Sequence, residues 1–288
     1  IKAGLDFFGV KMKTMIEEVE AITKKSTNNT VLVHCWRGGM RSAGVAWLLD
    51  LYGYEVYTLV GGYKAYRKWT LGQFEKIYNM GVLGGYTGSA KTETLLHLNH
   101  KEISIIDLEG LAHHKGSAFG GIGQAQQPSQ EMFENKLALA LHNNQHHFFM
   151  LEDESQRIGN LNIPHALWRN IRAATLYFIE IPFEERLKHI LANYGQLEKD
   201  KLITATLRIQ KRLGPNETKT TINYFLENNI EGAFTVLLKY YDKEYGKALY
   251  KRDNINTLLQ KINLDTIDIE KNRIAILSNL KPNAWSSQ

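Results

Sequence analysis

The stretch His34-Cys35-Trp36-Arg37-Gly38-Gly39-Met40-Arg41-Ser42 carries the single cysteine of the chain. It follows the apolar run Val31-Leu32-Val33, so the sulfur sits where a buried strand gives way to a glycine-containing loop. The N–H groups of such a loop, the side chains of Arg37 and Arg41, and the positive end of a helix starting near Ser42 all favour thiolate over thiol. The thiolate is the nucleophile, which makes Cys35, Arg37 and Arg41 candidate catalytic residues. A buried structural cysteine is the alternative reading, and two glycines and two arginines between positions 36 and 41 weigh against it. With Arg41 six positions after Cys35, the loop is wide enough for a tetrahedral oxyanion.

A second anion site is written at Gly85-Tyr86-Thr87-Gly88-Ser89-Ala90-Lys91-Thr92, which matches the phosphate-loop pattern G-x-x-x-x-G-K-[ST] except that Ala90 replaces the last glycine. Amides from Gly85 through Ala90, Gly88 and Ser89 included, would wrap a diphosphate; Lys91 would reach its outer oxygens and Thr92 could ligate Mg²⁺. Ala90 must avoid positive φ or lose roughly 1 kcal/mol to it. Downstream, the apolar Phe148-Phe149-Met150-Leu151 runs into Glu152-Asp153-Glu154. A phosphate-loop fold places its Mg²⁺-linked acid at such a strand end, so Glu152 and Asp153 are candidate acids. A solvated strand end is the competing reading.

Several elements must position these loops. Residues 11–25 read as an amphipathic helix with Met12, Met15, Ile16, Val19 and Ile22 on one face, and Ser26 to Asn29 as a turn. Thr30–His34 reads as a strand, Ala43 to Leu49 as a helix ending before Gly53, and Val56–Val60 as a strand stopped by Gly61-Gly62. Strand, loop, helix, strand implies a parallel crossover. A second unit starts near residue 80, with strands ending at Val82-Leu83 and over Ile103–Leu108, Phe148–Leu151 and Leu176–Ile181. Helices fall between them, Gln130–Asn143 among them. The expected fold is therefore α/β: a parallel-sheet domain over 1–72, then a phosphate-loop α/β domain over 73–288 whose region after Phe183 is helical.

The remaining features bear on partners. The chain has 288 residues, 43% hydrophobic and 23% charged, as in soluble globular proteins. No apolar run is long enough for a membrane span. One cysteine fits a reducing, cytoplasmic setting. The first residue is Ile and no complete domain start precedes the Cys35 loop, so the segment is expected to lack its native N-terminus. A net charge of +5 suits an anionic partner. Lys199, Lys201, Arg208, Lys211 and Arg212 recur along one helical region near Tyr194, where they would contact phosphates or form a solvated face. Gly116–Gly123 holds four glycines around Phe119 and Ile122 and reads as a mobile loop near the phosphate loop. The histidines show no metal-ligand spacing.

His34–Ser42 followed by Leu59-Val60-Gly61-Gly62-Tyr63-Lys64-Ala65-Tyr66-Arg67 resembles a rhodanese domain. Adding Gly85–Thr92, the segment Asp107 to Gly120 and Leu151-Glu152-Asp153-Glu154-Ser155, the order of motifs resembles the bacterial tRNA 2-selenouridine synthase family over nearly the whole chain. Lys115 stands where an arginine is expected. The resemblance implies a transferase acting on wobble 2-thiouridine of tRNA. The 2-sulfur is first prenylated with geranyl diphosphate, and selenium from selenophosphate then replaces it. The Cys35 loop would hold a selenium anion or a covalent Cys–Se adduct, and Gly85–Thr92 a diphosphate leaving group. Arg208, Lys211 and Arg212 would bind tRNA, and an enzyme that supplies selenophosphate would be a further partner. Three alternatives remain: a cysteine phosphatase, since His-Cys-x5-Arg-Ser is also that signature; a thiosulfate-type sulfurtransferase; and a non-catalytic tRNA-binding protein.

Overall fold

The computed structural model describes residues 2–24, 28–99 and 103–280. The chain divides into two units, Ile1–Gly72 and Gln73–Gln288.

The first unit opens with helix α1 (Lys2–Thr23), which begins well before the predicted Lys11. Met12, Met15, Ile16 and Val19 form its half-buried face. Ile22, predicted to share that face, is 79% exposed. The predicted turn lies partly outside the described residues. Strands β1 (Thr30–Val33) and β2 (Glu55–Thr58) pair in parallel, Val31 opposite Val56, on either side in sequence of helix α2 (Met40–Tyr52). Gly53 stops α2: at φ +108° its N–H turns back to the carbonyls of Asp50 and Leu49, a conformation glycine takes without steric cost. Helix α3 (Gly62–Phe74) follows.

In the second unit β3 (Met80–Gly85) is buried along its whole length, as expected of a strand covered on both faces. Helix α4 (Lys91–Asn99) and strand β4 (Ser104–Ile106) come next. The strand predicted over Ile103–Leu108 stops earlier, because Asp107 caps α5 (Leu108–Ala112) by accepting from the Gly110 N–H at 2.8 Å. Helix α6 (Gln130–Asn143) has the predicted bounds and is capped by Ser129. Strand β5 (Phe149–Glu152), the short antiparallel pair β6 (Arg157–Ile158) and β7 (Leu161–Asn162), helix α7 (His165–Ala173) and strand β8 (Thr175–Glu180) complete the middle of the unit.

A run of helices follows: α8 (Phe183–Tyr194), α9 (Lys199–Leu213), α10 (Pro215–Leu226), α11 (Ile230–Tyr250) and the short α12 (Ile255–Leu258). The region after Phe183 is not wholly helical. Strand β9 (Leu259–Asn263) returns to the sheet before α13 (Ile269–Asn279). The five strands lie in the order β4-β5-β3-β8-β9, all parallel. One apolar cluster, with Leu83, Leu95, Met150 and Ile276, packs helices α4 and α13 on the sheet. Another joins α8 to α11 around Phe225, Phe234 and Leu237, with Phe119 as an outlying member. Among the described residues no helix is long and apolar enough to cross a membrane.

Candidate active site

The Cys35 loop joins β1 to α2. The sulfur lies 3.3 Å from the Ser42 hydroxyl and accepts the Gly39 N–H at 3.3 Å. These contacts lower the thiol to about 6, the Ser42 hydroxyl contributing most, then the Gly39 amide, with the N–H groups of Ser42 and Arg37 adding to them. Arg37 thus acts through its backbone, and both Arg37 and Arg41 are exposed. Sequence reading took Ser42 only as the helix start and missed it as the sulfur's partner. The loop is held from behind by the start of α3: Tyr63 N–H donates to the Cys35 carbonyl and Lys64 N–H to that of Trp36, both at 2.9 Å. This backbone-to-backbone contact requires Gly62 at φ +63°, where a Cβ would run into the Cys35 carbonyl and the Gly38 amide.

In the second unit the chain from Gly85 to Ala90 joins β3 to α4, with Lys91 and Thr92 opening the helix. Ser89 Oγ donates to the Tyr86 carbonyl and tightens the turn. Gly88, at φ +85°, lies so close to α8 that a Cβ would meet Ile190 Cδ1 at 2.8 Å and the Arg186 carbonyl at 2.9 Å. Ala90 takes φ +53°, so the conformation its glycine predecessor in the pattern would adopt is kept at a steric cost. Lys91 Nζ rests on the Gly85 carbonyl at 3.0 Å, 5.7 Å from the centre of the Tyr245 ring.

The acids sort differently from expectation. Glu152 ends β5, buried, and its carboxylate gathers with those of Glu109 and Glu154, one oxygen from each within 4.8 Å of the others. Thr92 donates to Glu109 at 3.1 Å. Burial pushes all three carboxyls up; repulsion from Glu109 adds to it at Glu152, which reaches about 8, and repulsion from Glu152 and Glu109 adds to it at Glu154, which lies well above its ordinary value. Asp153 is not part of this cluster: Arg252 holds its carboxylate at 3.0 Å, and Tyr245 donates to its carbonyl at 3.2 Å. Glu109 was missed because nothing local marks it; α5 delivers it from a separate part of the sequence.

These groups line a cavity of about 530 Å³, with Lys115 and Ser117 from the glycine-rich segment on its wall. Lys115 Nζ lies 5.7 Å from the centre of the Tyr194 ring. The segment is a closed turn, fastened by Lys115 N–H to the Gly120 carbonyl at 2.9 Å, and it buries Phe119 to 4% exposure. A second, narrow slot of about 40 Å³ runs off the phosphate loop from Thr87 and Ser117 into an apolar lining of Phe119, Ile190, Phe234 and Leu237. Of the predicted tRNA contacts, Arg208, Lys211 and Arg212 are exposed on α9.

Comparison with known proteins covers both loops. The rhodanese-like domain profile matches residues 6–68, and that of the tRNA 2-selenouridine synthase AAA domain matches 78–263. The tRNA 2-selenouridine synthase of Hydrogenovibrio crunogenus is 33% identical over 255 residues, covering 77% of this chain and 69% of that protein. That of Shewanella loihica is 33% identical over 76% of this chain and 67% of its own length. That of Hahella chejuensis is 39% identical over 56% of this chain and 43% of its own length. The matched part thus spans between about two fifths and two thirds of these relatives. A cysteine loop and a phosphate loop in this order, on these two folds and at this identity, leave one assignment: the chain belongs to the tRNA 2-selenouridine synthase family.

Proposed function

We propose that the protein converts wobble 2-thiouridine of tRNA to 2-selenouridine through an S-geranylated intermediate. The observation that carries this reading is the apolar slot opening off the phosphate loop. A nucleotide held by Gly85–Thr92 would need polar partners for its base edges, whereas aromatic and aliphatic walls suit a hydrocarbon tail on a diphosphate head. The slot, about 40 Å³, is smaller than a geranyl chain, so this reading requires the closed glycine-rich turn that seats Phe119 to open on binding.

In the first step the 2-sulfur bonds to C1 of geranyl diphosphate, the C1–O bond breaks, diphosphate leaves and the base gives up its N3 proton. The loop amides and Lys91 stabilise the charge that develops on the leaving group. Glu109, Glu152 and Glu154 with the Thr92 hydroxyl form an all-oxygen donor set of the kind Mg²⁺ takes. The ion, when bound there, would add positive charge beside the diphosphate.

In the second step the Cys35 loop takes selenophosphate. The thiolate attacks phosphorus, the P–Se bond breaks and hydrogen selenide anion is released. Selenium bonds to C2 of the base, the C2–S bond breaks and geranyl thiol leaves with a proton; water then cleaves the S–P bond and restores Cys35. The test is nucleoside mass spectrometry on thiolated tRNA treated with the protein. Geranyl diphosphate alone should give the S-geranyl nucleoside, and later selenophosphate should give 2-selenouridine. Absence of the S-geranyl nucleoside, with ATP binding in place of geranyl diphosphate, overturns the reading.

A further inference from the structure

Beside the phosphate-loop cavity lies a larger one of about 840 Å³, and Asp153, Glu154, Ser155, Tyr241 and Tyr245 line both. Ligand cavities fall in this size range. Part of its lining is Arg252, just beyond α11, whose side chain is 0% exposed. Only Nη2 of Arg252 is engaged, donating to Asp153 Oδ1 at 3.0 Å and to the Ile171 carbonyl at 3.5 Å. Its Nε and Nη1 are buried without a partner, and so is Nε1 of Trp168 on α7. Buried donors left idle carry a desolvation cost that an arriving acceptor removes.

The charges around these donors point the same way. Arg172, one turn beyond Trp168, is half-buried, with its guanidinium 5.7 Å from the centre of the Trp168 ring and its Nη2 on the Ala248 carbonyl at 3.2 Å. Burial and the Arg252 charge both work against its protonation, so two cations compete on one wall. Arg169 and Arg212 add exposed cations to the lining. Among the acids there, Asp153 is paired with Arg252, Glu154 gathers with Glu109 and Glu152, Glu244 pairs with Lys247 at 2.6 Å, and Asp253 is exposed.

We infer that this cavity binds a nucleotide of the RNA substrate, its phosphate between Arg172 and Arg252 and its base against the aromatic wall of Trp168 and Tyr245. Guanidinium planes and aromatic rings are the groups on which unstacked RNA bases are held. The inference rests on the proposed tRNA chemistry and adds where the strand lies. The wall shared with the phosphate-loop cavity lets a nucleotide here present its neighbour, or its own base, to the prenyl donor.

Removing Arg252 strands Asp153 and risks the fold, so the test uses Arg169→Gln and Arg172→Gln together, with Trp168→Leu as a second variant. Binding of a thiolated anticodon stem-loop is measured by fluorescence anisotropy across a salt series, and geranyl diphosphate binding by calorimetry. The double variant should bind RNA about tenfold more weakly, with a salt slope lower by about 0.7 per lost phosphate contact. Trp168→Leu should weaken binding without changing the slope, and geranyl diphosphate affinity should not move in either. Unchanged RNA affinity and slope in both variants, with the wild type binding tightly, overturns the placement and leaves the tRNA reading standing. A wild type that fails to bind the stem-loop overturns both. Tight uridine 5′-monophosphate binding that the stem-loop does not displace would make this a free-nucleotide site, which also overturns the proposal.

Discussion

Arg186 forks onto Asp242, its Nη1 and Nη2 each donating to one carboxylate oxygen at 2.8 Å, while Nη1 also donates to the Thr87 carbonyl at 3.0 Å. One buried guanidinium thereby ties α8 to α11 and anchors the phosphate loop from beneath. Its Nε donates to the Ile181 carbonyl at 3.0 Å, so every nitrogen of the fork is engaged. Paired, planar geometry of this kind cannot be reproduced by lysine. Arg186→Leu should cost roughly 3–5 kcal/mol, since it leaves Asp242 unpaired in a largely buried setting. Urea unfolding measures this, and Arg186→Lys should recover only part of the loss. A variant as stable as the wild type would remove the anchoring role.

Ala90 occupies the left-handed region at φ +53° with 4% exposure. An alanine there is strained by about 1–2 kcal/mol, part of which is offset by its lower freedom in the unfolded chain. Ala90→Gly should therefore stabilise the second unit by about 0.5–1 kcal/mol, and thermal unfolding should show a higher midpoint. A lower midpoint would mean that packing of the Ala90 methyl outweighs the backbone strain.

The two loops were legible because each is local: an apolar strand, a short loop of fixed residue types and a helix follow one another in sequence, although β1, expected to be buried, alternates exposed and half-buried residues and leaves Leu32 63% exposed. The helix Gln130–Asn143 was legible for the same reason, with Ser129 as its cap. Long-range assembly was not. Strand β9 is the polar run Leu259-Gln260-Lys261-Ile262-Asn263 on the sheet edge, buried mainly at Ile262, so it lacks the apolar continuity that betrays β3. Glu109, Arg186 and Arg252 carry no motif; each gains its meaning from a partner delivered by a different element. Glu152 and Asp153 part company for that reason: Glu152 gathers with Glu109 and Glu154, while the carboxylate of Asp153 meets Arg252.

Cys35 supplies a pH test. Its thiol lies at about 6, below the ordinary value, through the Ser42 hydroxyl and the loop amides. A lowered thiol is thiolate above that pH, so alkylation by iodoacetamide should rise with a midpoint near 6 and level off by neutrality. Ser42→Ala removes the leading contribution and should move the midpoint upward. Cys35→Ala should abolish selenium incorporation while leaving geranylation of thiolated tRNA largely intact. Equal loss of both activities in a folded variant would defeat the division of roles.

Binding of tRNA should weaken steeply with salt. Exposed Arg208, Lys211 and Arg212 lie on α9, and each duplex phosphate neutralised contributes about 0.9 to the slope of log affinity against log salt. The triple alanine variant should lower that slope by up to about 3 and leave unfolding unchanged, because all three residues are exposed. Filter binding across a salt series reads the slope directly. A slope identical to that of the wild type would assign these residues to a merely solvated face.

Lys91 is the sharpest test of the phosphate loop. Its ammonium rests on the Gly85 carbonyl at 3.0 Å, so a diphosphate entering the loop has to draw it away from a backbone acceptor. The exchange favours the ligand, because a charged oxygen accepts more strongly than a neutral carbonyl. In the prenyl-transfer transition state the leaving diphosphate gathers charge, and a donor already in place stabilises it without reorganisation. Lys91→Ala should therefore lower geranylation by roughly 10²-fold or more, the loss seen on removing one such donor. Selenium transfer to tRNA that is already geranylated should be spared, since no diphosphate leaves in that step. Single-turnover assays on the two substrates, thiolated and pre-geranylated tRNA, separate the outcomes. Equal loss on both substrates would place Lys91 in the selenium step as well, and an undiminished geranylation rate would remove the loop from the chemistry.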